Sequence, residues 1–568
     1  MKKENKLIVA AIVLPLLVGA FFSQTEEYKL NMMHFIVLTT LIVVYNIVLY
    51  MQKAEWEYRR AVLQCSAMGF VTIGMVQGIC LMRRTENVGN TFKLWLGIVL
   101  AVILLAAFVL LVRQEKGITE NVIMLVIFAG FLLRIFYVVL TTSLLFQNDV
   151  TVLNLDCYGH LGYVYHLYVN GKLPDIDPTT AYEFYQPPLH YVISAAFLKI
   201  FNALGLLPKV NENWAWEEIL QVLPLIYSMI TQVYIYKIAK QMKLSMEGCL
   251  TAVCLAGFLP YSVMLGGALN NDPLAIMFMV MCIYYTFRWY EDPGMKRILV
   301  MALCIGCAMM SKISTGLIAP AMAVMMLQRA WTGRKQWKVY FKQFLCFGLI
   351  AFPMGLWHSV YNYIKYKMPI GYAAFLGEDS AQFIGTHDKW SRFFDFDNAF
   401  DFLAVRMDYV RDFADYNIPV TLIKYATFGE SNFYRASLLT NILGTGIFWV
   451  NAALFLFMAL LFVVWCFFKD GRLMYKVFMF TGAAVTLYSY LKFCIKYTHV
   501  CTMNVRYIMG AVYIGCIVIA AAASGICERM EKKSAVGGRI SKGIAITLPV
   551  LYAIAVIVLN VGMEAVIF

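Results

Sequence analysis

A carboxylate and an imidazole stand four positions apart just beyond the fifth long apolar run of the chain, in the segment 154–161 (NLDCYGHL). If this segment is helical, Asp156 and His160 lie on one face, because residues four apart are neighbours on a helix surface. A positioned carboxylate can take the proton from a hydroxyl group, which is general-base catalysis. The alternative is that Asp156 caps a helix and His160 is a surface histidine.

Two further motifs bring polar groups to the ends of apolar runs. The first is YQPPLHY at 185–191, where the double proline predicts a helix that begins there and continues to Leu204. The second is LNNDP at 269–273, in which Asp272 lies between two apolar runs. A carboxylate at that depth is costly unless it is exposed or used. The alternative is that Asp272 caps the next helix and Pro273 takes its first position.

Three cations are predicted on the same side of the membrane as these motifs. Lys312 separates two short apolar runs, Arg506 opens a late one, and Arg134 lies within the fifth. Arginine and lysine beside a lipid head group can hold a phosphate by charge-assisted hydrogen bonds. Each of the three can also be explained by a long side chain that extends to the membrane surface without any role in binding.

Composition indicates which elements position these groups. Of the 568 residues, 61% are hydrophobic and 14% are charged, which excludes a water-soluble domain. About fifteen apolar runs are long enough to cross the hydrocarbon layer, and each must be a helix to satisfy its own backbone. The net charge of +13 comes from basic clusters between these runs, so it indicates loops beside a bilayer and argues against nucleic acid. The 14 cysteines show no CxxC pair, which argues against zinc and against a disulfide framework.

The distribution of lysine and arginine predicts a cytoplasmic N-terminus with a retained first helix. It also predicts that two long connections, 147–217 and 361–438, lie outside, where their aromatic and charged residues suit amphipathic segments at the membrane surface. We therefore expect extra N-terminal helices over 1–115 and a catalytic core over 116–360 that includes the first loop. An outer loop at 361–438 and C-terminal helices over 439–568 complete the expected organisation.

Taken as an ordered set, these motifs resemble the GT-C superfamily of membrane glycosyltransferases, near the bacterial relatives of protein O-mannosyltransferases and aminoarabinose transferases. The resemblance rests on the Asp-x-x-x-His segment, GKLP at 171–174, PPLHY at 187–191 and NNDPL at 270–274. It runs from about residue 120 to about residue 370, with echoes at Tyr361-Asn362 and Arg506-Tyr507. It implies an all-α polytopic membrane protein, a GT-C type bundle of about 13–15 transmembrane helices with two large extracytoplasmic loops carrying amphipathic helices.

The resemblance also implies a polyprenyl-phosphate sugar donor, an inverting transfer, and a catalytic aspartate in the first outer loop, which corresponds to Asp156. Many relatives have an acidic residue directly after that aspartate, whereas this chain has Cys157, which affects any acceptor contact made there. His160 would orient Asp156 or bind phosphate. The donor phosphate would be bound by Lys312, Arg506 and Arg134, and accessory contacts to sugar or acceptor would come from Asp272, Asn271, Tyr163, His190 and Tyr507.

One carboxylate suffices for this chemistry, because a lipid phosphate departs as a stable anion and needs no acid. No cofactor is therefore expected, although Asp156, His160 and Asp272 offer the hard ligands that Mg²⁺ or Mn²⁺ would take. The expected partners are a polyprenyl-phosphate-linked sugar, a lipid, glycan or protein acceptor, and the lipids of the cell membrane. The rival functions are a transporter or flippase of lipid-linked sugars, for which no inverted repeat is evident, and a glycan polymerase or ligase.

Overall fold

A computed structural model describes residues 90–140, 159–203, 219–374, 376–380, 382–397, 400, 415–429 and 438–564. Three predicted apolar helices, at 7–22, 33–51 and 61–82, lie outside the described residues, and so does Asp156.

The described residues form seventeen α-helices joined by short 3₁₀ turns and loops. In chain order they are α1 (Asn90–Glu115), α2 (Glu120–Leu140), α3 (Gly159–Asn170), α4 (Leu189–Ala203), α5 (Val222–Gln241), α6 (Met246–Phe258), α7 (Pro260–Met264), α8 (Asp272–Glu291), α9 (Met295–Ser311), α10 (Ala319–Thr332), α11 (Trp337–Tyr366), α12 (Ser391–Phe394), α13 (Ile418–Phe428), α14 (Leu438–Cys466), α15 (Leu473–Lys496), α16 (Met509–Lys533) and α17 (Ala535–Glu564).

Nine of the helical segments in the described part of the chain are long and apolar enough to cross a membrane. A tenth is obtained if α6 and the following bent segment are counted as one span. Each of the twelve predicted spans after residue 90 corresponds to a helix or a helix pair. The all-α polytopic membrane architecture expected from composition is therefore confirmed over these residues.

Helix α16 lies at the centre of the bundle and packs against α6, α14, α15 and α17. Small residues allow these close approaches, as is common in membrane bundles. A Cβ atom on Gly248 of α6 would lie 3.0 Å from the carbonyl oxygen of Ala520 in α16. The interhelical contact at this position therefore depends on the glycine.

Two interruptions at one end of the bundle create the turns that carry polar residues. Helices α6 and α7 meet at an angle of 68° at Leu259, because Pro260 cannot continue the hydrogen-bonding of α6. The 3₁₀ turn Leu265–Gly267 follows, and the chain then turns into α8 at Asp272. The second interruption is Lys312, whose backbone is extended between α9 and the 3₁₀ turn Ile313–Ile318. Both turns lie where the sequence predicted a break between apolar runs, at LNNDP and at Lys312.

The second long loop is anchored to α15 by a buried arginine. Arg392 is 2% exposed and donates to the carbonyl oxygen of Cys494 at 2.5 Å. Within the loop, the ammonium of Lys424 pairs with the Asp415 carboxylate, and both side chains are almost completely buried. Trp390, by contrast, is exposed at the surface of the loop. This loop was predicted as a surface layer, and its described part is tied closely to the bundle.

Candidate active site

A buried ion pair joins the turn before α8 to the extended residue after α9. The Lys312 ammonium lies 2.5 Å from the Asp272 carboxylate, and the two side chains are 14% and 4% exposed. Asp272 is the first residue of α8, yet its carboxylate pairs with Lys312 and does not cap the helix, so the capping alternative is wrong. The side-chain oxygen of Asn270 accepts a hydrogen bond from the backbone amide of Asp272 at 3.0 Å. Asn270 therefore satisfies this donor at the start of α8.

Arg506 and Tyr507 complete the charged cluster. Arg506 is near enough to Asp272 to stabilise its charge, and it donates to the Tyr507 hydroxyl at 3.0 Å. The cationic groups of Lys312 and Arg506 each lie 5.0 Å from the centre of the Tyr507 ring. Two cations therefore lie beside one carboxylate and one aromatic ring. Such a group can bind an anion.

Asn271 ties this cluster to the first long loop. Its amide nitrogen donates to the side-chain oxygen of Gln186 at 3.1 Å and to the carbonyl oxygen of Ser311 at 2.8 Å. The YQPPLHY and LNNDP motifs therefore lie next to each other and close to Lys312. This proximity is necessary if the two motifs and the cation form one site. Gln186 itself was not singled out, although its motif was.

His160 lies in the first turn of α3 and has two buried neighbours. Its Nδ1 atom is 2.7 Å from the Tyr191 hydroxyl, and its Nε2 atom is 3.7 Å from the carboxylate of Glu183. Glu183 is 5% exposed and has a φ of +66°, which is unfavourable for a residue with a side chain. A buried carboxylate held in a strained backbone beside a histidine is a functional-site feature that sequence analysis missed. Its only signal was its position two residues before the first tyrosine of the YQPPLHY motif.

His190 and Tyr163 lie on the same side of the bundle. Burial lowers the pKa of His190 to about 3, with a smaller contribution from His160, and the charge of Asp272 opposes this shift. The His190 ring is therefore neutral near pH 7, and its Nδ1 atom has no hydrogen-bond partner among the described residues. Tyr163 stacks between Tyr191 and Phe184, with ring centres 4.2 and 4.8 Å away. Burial also raises the pKa of Tyr163, so it remains a neutral phenol.

Arg134 has a different environment from the other two predicted phosphate ligands. It is completely buried in α2 and donates to the Ser228 hydroxyl at 2.6 Å, to the Gly130 carbonyl at 2.9 Å and to both oxygens of Ser262 at 3.1 and 3.2 Å. Nε and Nη2 thus serve contacts between helices or with the segment at Ser262, and Nη1 bonds within α2. These contacts account for the residue structurally, and its role in phosphate binding stays a prediction.

Within the described part of the chain, no three His, Cys, Asp or Glu side chains are placed to hold a metal ion together. The predicted alternative of a divalent ion needs Asp156, which lies outside the described residues. His160 and Asp272 are instead paired with Glu183 and Lys312.

Comparison with known proteins connects this geometry to a family. The sequence profile described as dolichyl-phosphate-mannose-protein mannosyltransferase matches residues 186–357, which begin at Gln186 and include the LNNDP motif and Lys312. This match confirms the family resemblance over that stretch. No curated protein matches the chain in sequence.

Two crystal structures show distant similarity. One is ArnT from Cupriavidus metallidurans in the apo state, with 11% identity and a TM-score of 0.38 over 72% of each chain. The other is ArnT from the same organism bound to undecaprenyl phosphate, with 11% identity and a TM-score of 0.32 over 73% of this chain and 81% of that one.

Proposed function

We propose that the chain is a membrane glycosyltransferase that moves a sugar from a polyprenyl-phosphate donor to an acceptor hydroxyl on the extracytoplasmic side, with inversion at the anomeric carbon. The observation that carries this proposal is the cluster of Lys312 and Arg506 around Asp272. Lysine and arginine hold phosphate groups by charge-assisted hydrogen bonds, and here the two cations lie beside the same aromatic ring. The family match, whose description names a dolichyl-phosphate-linked sugar, supports the same donor class.

The reaction divides between two sets of groups. The acceptor oxygen attacks the anomeric carbon and passes its proton to Asp156, the proposed general base. The bond from that carbon to the phosphate oxygen breaks, and its electron pair stays on the phosphate. Lys312 and Arg506 stabilise this growing charge, and such fixed charges in a poorly hydrated site are a large catalytic factor. Asp272 would hold Lys312 in place. The Tyr507 ring, which lies near both cations, would help to keep them close to each other.

Glu183 adds a group that this mechanism can use. Its carboxylate faces Nε2 of His160, and the Tyr191 hydroxyl fixes Nδ1. An imidazole oriented on both sides can hold the acceptor hydroxyl or the base in a fixed direction. Asn271, His190 and Tyr163 would form the surrounding wall and contact the sugar or acceptor.

The test is release of polyprenyl phosphate by the purified full-length protein in nanodiscs, with a panel of polyprenyl-phosphate sugars and a crude envelope-lipid extract as acceptor. Asp156→Asn should lower release by several orders of magnitude and leave donor binding intact, because only the proton acceptor is lost. Asp379→Asn provides the control, since Asp379 is an exposed aspartate of the second loop. Its release should equal that of the unmodified chain.

Two outcomes would contradict the proposal. Full release by Asp156→Asn would exclude this residue as the base. Transbilayer movement of an intact lipid-linked sugar, with no release from any donor, would establish the rival transporter.

A further inference from the structure

An open cleft lies between the first long loop and the end of α11. Leu173, Pro174, Ile176 and Pro178 form one wall, and Trp357, His358, Tyr361 and Asn362 form the other. None of the lining residues has a charged side chain, so the cleft is unsuited to a phosphate and differs from the Lys312 cluster.

The two walls are fastened to each other. The Asp175 carboxylate of the loop pairs with the Lys365 ammonium of α11 and accepts from the Tyr366 hydroxyl at 3.2 Å. These contacts lower the pKa of Asp175, so the carboxylate stays ionised as the pair requires. These contacts join the first long loop to α11 at the rim of the cleft.

The polar groups inside the cleft are not fully used by the protein. Nδ2 of Asn362 is 3.3 Å from Nε2 of His358, and the two side chains are 3% and 7% exposed. An amide nitrogen only donates, so Nε2 accepts and the proton of the neutral ring lies on Nδ1. That Nδ1 atom has no hydrogen-bond partner among the described residues. A buried N–H without an acceptor is costly, so this geometry favours a ligand that supplies an oxygen.

The α11 wall also carries two aromatic side chains. Trp357 and Tyr361 are 38% and 45% exposed although they line a concave surface. Aromatic faces stack well on the C–H faces of sugar rings, and the hydroxyl groups of the same ring can satisfy the imidazole and the amide. An isoprenoid chain would cover the aromatic faces but would leave Nδ1 of His358 without an acceptor.

Two side-chain contacts connect the lining of the cleft to His160. Tyr163 and Phe184 line the cleft, and Tyr163 stacks on Tyr191, whose hydroxyl contacts His160. We propose that this cleft binds a neutral, hydroxylated sugar ring of the acceptor, so that the acceptor is a glycan or a glycolipid. The assignment of this sugar to the acceptor rests on the proposed function, whereas sugar binding in the cleft can be measured without turnover.

The experiment uses the full-length protein in nanodiscs without donor. Alkyl glycosides of a hexose, a pentose and an N-acetylhexosamine, each with a diazirine in the alkyl group, are photolysed with the protein, and the labelled peptides are identified by mass spectrometry. At least one glycoside should label peptides that contain 173–178 or 357–362, and excess methyl glycoside of the same sugar should compete. A farnesyl diazirine serves as the isoprenoid probe.

Variants of residues that line the cleft distinguish sugar binding in the cleft from nonspecific labelling of the protein. Asn362→Leu and His358→Phe replace the polar groups with apolar ones of similar shape and should lower the competable labelling at least 10-fold. Tyr363→Phe is the matched control, because Tyr363 is exposed on the same helix and does not line the cleft. Lys312→Met should also leave labelling unchanged, so a failure of the donor chemistry does not affect this result.

Labelling elsewhere, labelling of the cleft by the farnesyl probe alone, or full labelling of folded Asn362→Leu would overturn the proposal. A thermal-unfolding midpoint near that of the unmodified protein identifies the folded variants, and Tyr361→Phe replaces any variant that fails this requirement.

Discussion

A double-mutant cycle on Asp272 and Lys312 would separate a structural ion pair from a functional one. The single variants are Asp272→Asn and Lys312→Met, and the third protein carries both changes. Each single change leaves one charge without its main partner in a place where the side chains are only 4% and 14% exposed. The double variant removes both charges and leaves neutral groups of similar size.

The expected stabilities follow from desolvation. Removal of one partner from a buried pair costs about 3–5 kcal/mol, whereas replacement of both partners is often nearly neutral. Arg506 is near Asp272 and offsets part of this cost in Lys312→Met, so that variant should be the less damaged of the two. The double variant should recover most of the thermal stability of the unmodified chain.

Turnover should respond differently. If Lys312 stabilises the leaving phosphate, its loss removes about 2.7–4 kcal/mol of transition-state stabilisation, or roughly 10²–10³ in rate. The double variant lacks the same ammonium and should remain slow although it is stable. The assays are release of polyprenyl phosphate at saturating donor and thermal unfolding of the same preparations.

The pair between Asp415 and Lys424 is a control in the same protein. It is as deeply buried, at 5% and 1% exposure, and no catalytic role is assigned to it. Asp415→Asn with Lys424→Met should recover both stability and release. A double variant at Asp272 and Lys312 that also regained full release would refute the functional reading and leave this pair as a structural contact.

Three other predictions concern residues around the cluster. Glu183→Gln should lower the release rate about 10²-fold with little change in donor KM, because His160 loses the anion that orients it; an unchanged rate would leave Glu183 a structural residue. Arg134→Met should lower the thermal midpoint and leave release per folded molecule unchanged, since the guanidinium serves helix contacts; a raised donor KM in a stable variant would instead establish its predicted phosphate role. Because burial lowers the pKa of His190 to about 3, the unfolded chain binds a proton below about pH 6.5 that the folded chain does not, so stability should fall by up to about 1.4 kcal/mol per pH unit toward pH 3. His190→Phe should reduce this slope in thermal unfolding between pH 7 and pH 5, and an identical slope would exclude His190 as its source.

Membrane-spanning helices were predictable because the bilayer imposes a length and a polarity on each of them. The same constraint marked Asp272 and Lys312, since charged residues at the ends of apolar runs require an explanation. Their pairing was not predictable. It depends on the bend at Pro260 and on the extended backbone of Lys312, which bring together two turns 40 residues apart.

The burial of Glu183 could not have been predicted from the sequence. This residue lies in a loop rich in tyrosine and proline, where a glutamate is ordinarily exposed, so neither its burial nor its positive φ has a sequence signature. The same applies to the cleft beside α11, because its walls come from segments almost 200 residues apart. Only the fold decides which loop side chains face inward.

The three predicted cations show how far a charge in an apolar sequence can be interpreted. Sequence reasoning treated Lys312, Arg506 and Arg134 alike, as candidates for one phosphate. Arg134 donates to oxygens of Ser228, Ser262 and its own helix, so each of its guanidinium nitrogens has a partner within the bundle. Lys312 and Arg506 lie beside one carboxylate and one aromatic ring, close enough together to act on a single anion. A phosphate that enters this cluster therefore replaces solvent around charges already in position, which is the condition under which electrostatic catalysis is effective.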